Sequence, residues 1–160
     1  SVGDYVLLLN NDCEFLPSPV NSWITQMTDF VNQPGIGLTG PLELFDDYAG
    51  QKVLIFFCVL IKREVIDKIG LLDEIFSPGG GEDIDFSIRA RNAGYDAVPI
   101  QHTVRTDGEN VGWFPIWHKN NKTFGEISDY TNYIIKKNGL VNCQRYNRNI
   151  KLNLGSGGIE

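Results

Sequence analysis

An α/β fold is the class this sequence of 160 residues predicts, on three observations. First, Tyr5–Leu9 and Val53–Ile61 are continuous apolar runs, the pattern of strands covered on both faces. Second, segments with apolar residues at helical spacing alternate with these runs, as in layered α/β domains. Third, 42% of the residues are hydrophobic, enough at this length for one domain with a core.

Taken in order, Tyr5–Leu9 is the first strand. Ser18, between Pro17 and Pro19, signals an N-cap, and Val20, Trp23, Ile24, Met27, Phe30 and Val31 continue it as an amphipathic helix that stops near Pro34-Gly35. Ile36–Thr39 reads as a short strand closed by Gly40-Pro41. Glu43–Gln51, with its acid, glycine and aromatic residues, reads as a loop. Val53–Ile61 is the second strong strand. Lys62–Ile69 follows as a helix with Val65, Ile66 and Ile69 inward and Gly70 as its stop. Leu71–Phe76 leads into a loop ending in Gly79, Gly80 and Gly81. The next helix starts at Glu82-Asp83 and is closed near Ala93 by Gly94. Tyr95–Ile100 is a last short strand, Gln101–Trp117 is irregular and aromatic, and Asn120–Lys137 looks helical.

Acidic residues outnumber basic ones 20 to 14 and no basic stripe occurs, which disfavours nucleic-acid binding. Cys13, Cys58 and Cys143 lie far apart with no CxxC and no metal-ligand spacing, an arrangement expected of reduced thiols in a cytoplasmic setting. No apolar stretch reaches the length of a membrane span.

Three constellations carry candidate chemistry. Asn10-Asn11-Asp12-Cys13-Glu14 follows the first strand, so Asp12 and its neighbours deliver oxygen ligands to the carboxyl edge of a sheet, where Mg²⁺ or Mn²⁺ and a diphosphate are commonly held. The plainer reading is a strand-ending turn, which Asn and Asp favour. In Gly79-Gly80-Gly81-Glu82-Asp83-Ile84-Asp85, the glycines allow close backbone approach, and Glu82 or Asp83 at a helix start could serve as general base. The helix dipole is expected to keep such a group ionised. The plainer reading is ordinary N-terminal capping. His102 or His118 could complete a metal site with Asp12. Trp113 and Trp117, with Phe114, offer either sugar stacking or packing, and Arg89 and Arg91 either phosphate contacts or solvated helix charge.

In sequence order, GDYVLLLNNDCEFLP, an amphipathic helix, GIGLTGP and FFCVLIKREVIDKIGLLDEIFSPGGGEDIDFSIRARNAGYDAVPIQH resemble the carboxyl-side half of a family 2 glycosyltransferase of the GT-A type. The resemblance spans roughly Gly3 to His102 and rests on the order of motifs, above all IGLLDE before GGGEDIDFSIRARNAGY. It implies a mixed sheet flanked by helices, a nucleotide-diphospho-sugar donor, a divalent cation, and inverting displacement onto an acceptor hydroxyl. Asn10 and Asp12 fall on the acidic metal-diphosphate motif, with Asn in its first position as in a rhamnosyltransferase-like branch. Asp83 of Glu82-Asp83 falls on the catalytic base, Gly79–Gly81 and Asp85 on the acceptor loop, and His102 near the late metal-binding histidine.

The departure is at the front, since no nucleoside-binding βαβ units precede Tyr5. Residues 1–118 are therefore expected to be the metal and acceptor half, 119–150 a helical extension, and 151–160 a tail. Leu152-Asn153-Leu154-Gly155-Ser156-Gly157-Gly158 resembles the opening of an S-adenosylmethionine-dependent methyltransferase domain, without the helix that should follow. The isolated chain is expected to be a poor enzyme, with a sheet edge exposed for homodimerisation. The reading from a different class is a non-catalytic binding or assembly module.

Overall fold

The computed structural model describes residues 3–46, 51–77, 79–100, 114–118, 133–134 and 137–138. Its centre is a mixed sheet of four strands, β1 (Tyr5–Leu9), β3 (Ile36–Gly40), β6 (Cys58–Lys62) and β7 (Asp96–Pro99), in the order β1-β6-β3-β7. β6 runs antiparallel to both β1 and β3, and β3 runs parallel to β7. The chain therefore leaves β1, β3 and β7 at one common edge, with Asn10–Asp12 directly beyond β1.

Alternation along β6 builds a core on each face of the sheet. Cys58 and Leu60 face α1 (Ser22–Val31), meeting Met27 and Val31. Val59 and Ile61 face α2 (Arg63–Ile69) and α3 (Glu82–Asn92), meeting Val65, Phe86 and Ala90. Met27, Val31, Val59 and Val65 are fully buried, and a buried aliphatic side chain of this size contributes about 1.5–3 kcal/mol. No helix among the described residues is long and apolar enough to cross a membrane.

Several boundaries differ from those expected. The first helix begins at Ser22 rather than beside Ser18, because Pro19 accepts the Ser22 N–H in a preceding turn and Asn21 takes the left-handed N-cap position. Val20 consequently stands 91% exposed instead of lining the helix. The segment read as a loop is a hairpin of β4 (Glu43–Asp46) and β5 (Gln51–Leu54), with Leu44 opposite Val53 and Phe45 opposite Lys52. Its strand-forming residues were masked by the acid and glycine around them. The expected strand Val53–Ile61 is interrupted at Ile55–Phe57, and β6 begins only at Cys58. In the region read as irregular, β8 (Ile116–His118) pairs antiparallel with β2 (Cys13–Phe15). The ends of α2 and α3 lie where expected, with Gly70 and Gly94 at positive φ just beyond them.

One close approach is stereochemically demanding. A Cβ on Gly40 would stand 2.6 Å from the Cys58 carbonyl oxygen, which is backbone and cannot swing aside. Gly40→Ala is expected to destabilise the domain by about 1–3 kcal/mol, seen as a lower urea midpoint at unchanged slope.

Candidate functional site

The interruption between β5 and β6 organises both halves of the site through two adjacent residues. The Phe57 carbonyl accepts the Asn10 N–H at 2.8 Å and the Cys13 thiol at 3.5 Å. The Phe57 ring stacks on the His118 imidazole, with centroids 4.5 Å apart and planes 6° from parallel. On its other side, the Phe56 backbone favours the charged form of the nearby Asp83 carboxyl, and the Phe56 ring meets Phe86 of α3 edge-on. The Asn10–Phe57 bond continues the β1–β6 register by one rung, so the ladder itself carries the chain to the point where Asp12 and Cys13 begin.

On the Phe57 side, the β2–β8 register sets Cys13 directly opposite His118. Asp12 Oδ1 lies 3.1 Å from His118 Nε2, both side chains being largely buried. That contact has ion-pair length without hydrogen-bond alignment, so Asp12 Oδ1 is a buried oxygen with no hydrogen bond among the described residues. The ligand atoms of Asp12, Cys13 and His118 all lie within 4.8 Å of one another. Carboxylate, imidazole and thiol together suit a divalent transition cation, and the orphaned oxygen fits one. Burial, then the charge of Asp12, pushes the Cys13 thiol up to about 11.

On the Phe56 side, Gly80 and Gly81 turn the chain into α3 with φ of 109° and 100°, a region that favours glycine. Glu82 folds back, its Oε2 accepting the Gly80 N–H at 2.6 Å, and so braces the loop. Asp83 is buried in the first turn of α3, with Oδ1 accepting the Ile84 N–H at 2.8 Å. Burial first, then the charge of Glu82, pushes the Asp83 carboxyl up to about 7 against the pull of those amide hydrogen bonds. This corrects the expectation of a simply ionised group, because desolvation outweighs the helix start. A carboxyl poised near neutrality is well matched to general-base work.

Asp85, expected in the acceptor loop, instead sits in a polar clasp. Its carboxylate is fully buried and accepts from Arg89 Nε at 2.7 Å, Lys137 Nζ at 2.9 Å and Asn138 Nδ2 at 3.0 Å. Lys137 also binds Asp73, which Tyr133 contacts too, and these donors hold the Asp73 carboxyl down to about 2. Arg89 further donates to the carbonyls of Ile69 and Leu71, and Arg91 to that of Ala97. Both arginines therefore tie α3 to its neighbours, where the sequence had left phosphate contacts open.

His118 is the histidine beside Asp12; His102 and Trp113 lie outside the described residues, as does the tail 151–160. Trp117 alternates with His118 along β8, which points it to the opposite face from the Asp12 cluster. Asn10 contributes its backbone N–H to the Phe57 turn and stays exposed. The three cysteines show no metal-ligand spacing among themselves, yet Cys13 lies in a group with Asp12 and His118 that could hold a metal ion. His118 comes from 105 positions beyond Cys13, so their proximity leaves no local spacing to find.

No protein-family profile matches the chain. A curated protein of Sinorhizobium fredii, the uncharacterized protein y4gI, is 25% identical over 134 residues, taking in 61% of this chain and 14% of that protein. Among solved structures, the mannosyltransferase PcManGT from Pyrobaculum calidifontis, in complex with GDP-Man and Mn²⁺, is similar with a TM-score of 0.52 and 11% identity. The similarity covers 88% of this chain and 46% of that one. The chain thus has a glycosyltransferase-like fold and spans less than half of the solved transferase.

Proposed function

We propose that this chain is the metal and acceptor part of an inverting family 2 glycosyltransferase, which moves a sugar from a nucleotide-diphosphate donor to an acceptor hydroxyl. The observation that carries the reading is the Phe56–Phe57 turn, which ties a buried carboxyl near pH 7 to an Asp12–His118 pair with an orphaned oxygen. The glycosyltransferase-like fold supports it independently.

In this reading Asp12 and His118 hold a divalent cation, Mn²⁺ or Mg²⁺, with Asn10 beside them. Bound there, the cation supplies charge neutralisation to a diphosphate leaving group. Asp83 accepts the proton of the acceptor hydroxyl as that oxygen bonds to the anomeric carbon. The bond from that carbon to the diphosphate breaks on the opposite side and inverts the centre. Glu82 and the glycine loop shape the entry for the acceptor.

In this reading the chain supplies the diphosphate and acceptor sides of the site, and by itself binds nucleoside diphosphates weakly. A cytoplasmic setting, where the thiols stay reduced, belongs to the same proposal.

The test is Mn²⁺-dependent release of nucleoside diphosphate by the full-length protein from a panel of nucleotide sugars. Asp12→Asn should weaken cation binding by at least about tenfold, since even outer-shell partners of a metal are worth about 10–100-fold. A full-length protein that binds no nucleoside diphosphate with Mn²⁺ would leave the binding-module reading in its place.

A further inference from the structure

We infer that Cys13 is a third protein ligand of the Asp12–His118 cation site, and that its sulfur tilts the site away from Mg²⁺ towards softer cations such as Zn²⁺ or Co²⁺. The inference rests on the metal reading above and concerns which ion the site selects.

Three observations converge on it. The first is distance. Ligand atoms sharing one ion at bonds of 2.0–2.3 Å stand about 3–4 Å apart, and Asp12 Oδ1 and His118 Nε2 are already 3.1 Å apart. The Cys13 sulfur lies within 4.8 Å of a ligand atom on each of the other two, near enough to share one ion. The second is register: the β2–β8 ladder places Cys13 and His118 directly opposite as a non-hydrogen-bonded pair, the kind in which facing side chains stand closer. The third is that one residue orients both, because the Phe57 ring stacks on His118 while its carbonyl receives the Cys13 thiol. That 3.5 Å contact from a weak S–H donor is easily exchanged for an ion.

On binding, the sulfur coordinates as thiolate and its proton passes to the buffer, one per ion. Thiolate is a soft ligand, whereas Mg²⁺ requires oxygen ligands in near-ideal octahedral geometry. Three protein ligands also leave a position open for a diphosphate oxygen, the arrangement of catalytic rather than structural cation sites.

Co²⁺ titration of the full chain, followed by absorbance, tests this without an activity assay. The wild type should develop a near-ultraviolet thiolate-to-cobalt charge-transfer band that saturates with metal. Cys13→Ser should lose that band while keeping the weaker visible cobalt bands, and Cys143→Ser should keep both. Cys13→Ala repeats the loss, so that a serine oxygen taking the sulfur's place cannot imitate it. The ratio of Zn²⁺ to Mn²⁺ affinity should fall by at least about tenfold in Cys13→Ser, the lower end of what metal-site substitutions cost. A charge-transfer band that is absent from the wild type or survives in Cys13→Ser overturns the role of Cys13. If Asp12→Asn and His118→Gln bind Co²⁺ as tightly as wild type, the metal site itself falls.

Discussion

Asp83→Asn in the complete protein is expected to reduce transfer by about 10²–10⁴-fold while leaving nucleotide affinity nearly unchanged, because a general base acts on the acceptor and not on the donor. Wild-type transfer should rise with pH through about 7, as the buried carboxyl ionises. Turnover retained in the Asn variant would remove Asp83 from the base role. The same substitution has a stability signature that needs no substrate. The folded carboxyl titrates near 7 against 3.8 when free, so the folded state holds the proton more tightly. Stability is therefore highest below pH about 4 and falls as pH rises towards 7. The interval corresponds to up to roughly 4 kcal/mol. Asp83→Asn lacks this slope and should be the more stable protein at pH 8, as read by urea unfolding at pH 5 and pH 8. Parallel pH profiles for the two proteins would show that the carboxyl is not held neutral by burial. Greater stability with lost activity is the expected cost of placing a charge-bearing base in a dry position.

Asp85→Ala should be the most destabilising single change in the clasp, by about 1–3 kcal/mol, because Arg89, Lys137 and Asn138 all lose a buried acceptor, while Lys137 keeps Asp73 and Arg89 keeps the Ile69 and Leu71 carbonyls. Asp85 is fully buried, and Arg89 and Lys137 are 16% and 26% exposed, so water replaces the lost carboxylate only in part. Lys137→Met should cost less, since Arg89 and Asn138 still satisfy Asp85. By contrast, Lys62–Glu64, at 3.9 Å with Glu64 60% exposed, should contribute little. Urea unfolding of the variants would decide it: a loss below 1 kcal/mol in Asp85→Ala would mean that the clasp adds nothing.

Much of the local structure was legible because it is coded locally. Val65 and Ile66 of α2 follow a helical period, and Gly70 and Gly94 mark helix ends through a backbone conformation that other residues resist. The hairpin at Glu43–Leu54 was missed since acid and glycine dominate the segment's composition, while its pairing is a matter of register. Asp85 was misplaced for a similar reason. Three acids at a helix start look alike in one dimension, and only Lys137 and Asn138, more than 50 positions away, separate a buried clasp from an open loop.

The sequence by itself determined that this is an α/β domain and that Asp12 and Asp83 stand at a strand end and a helix start. Short-range period and turn chemistry are enough for that. Tertiary structure alone decided that His118 meets Asp12, that Cys13 joins them, and that Asp83 titrates near 7. The first two depend on the β2–β8 register and the last on burial of the carboxyl at the start of α3. Hydrophobicity is a property of each residue and is written in the chain, whereas strand register and desolvation exist only once distant segments have packed.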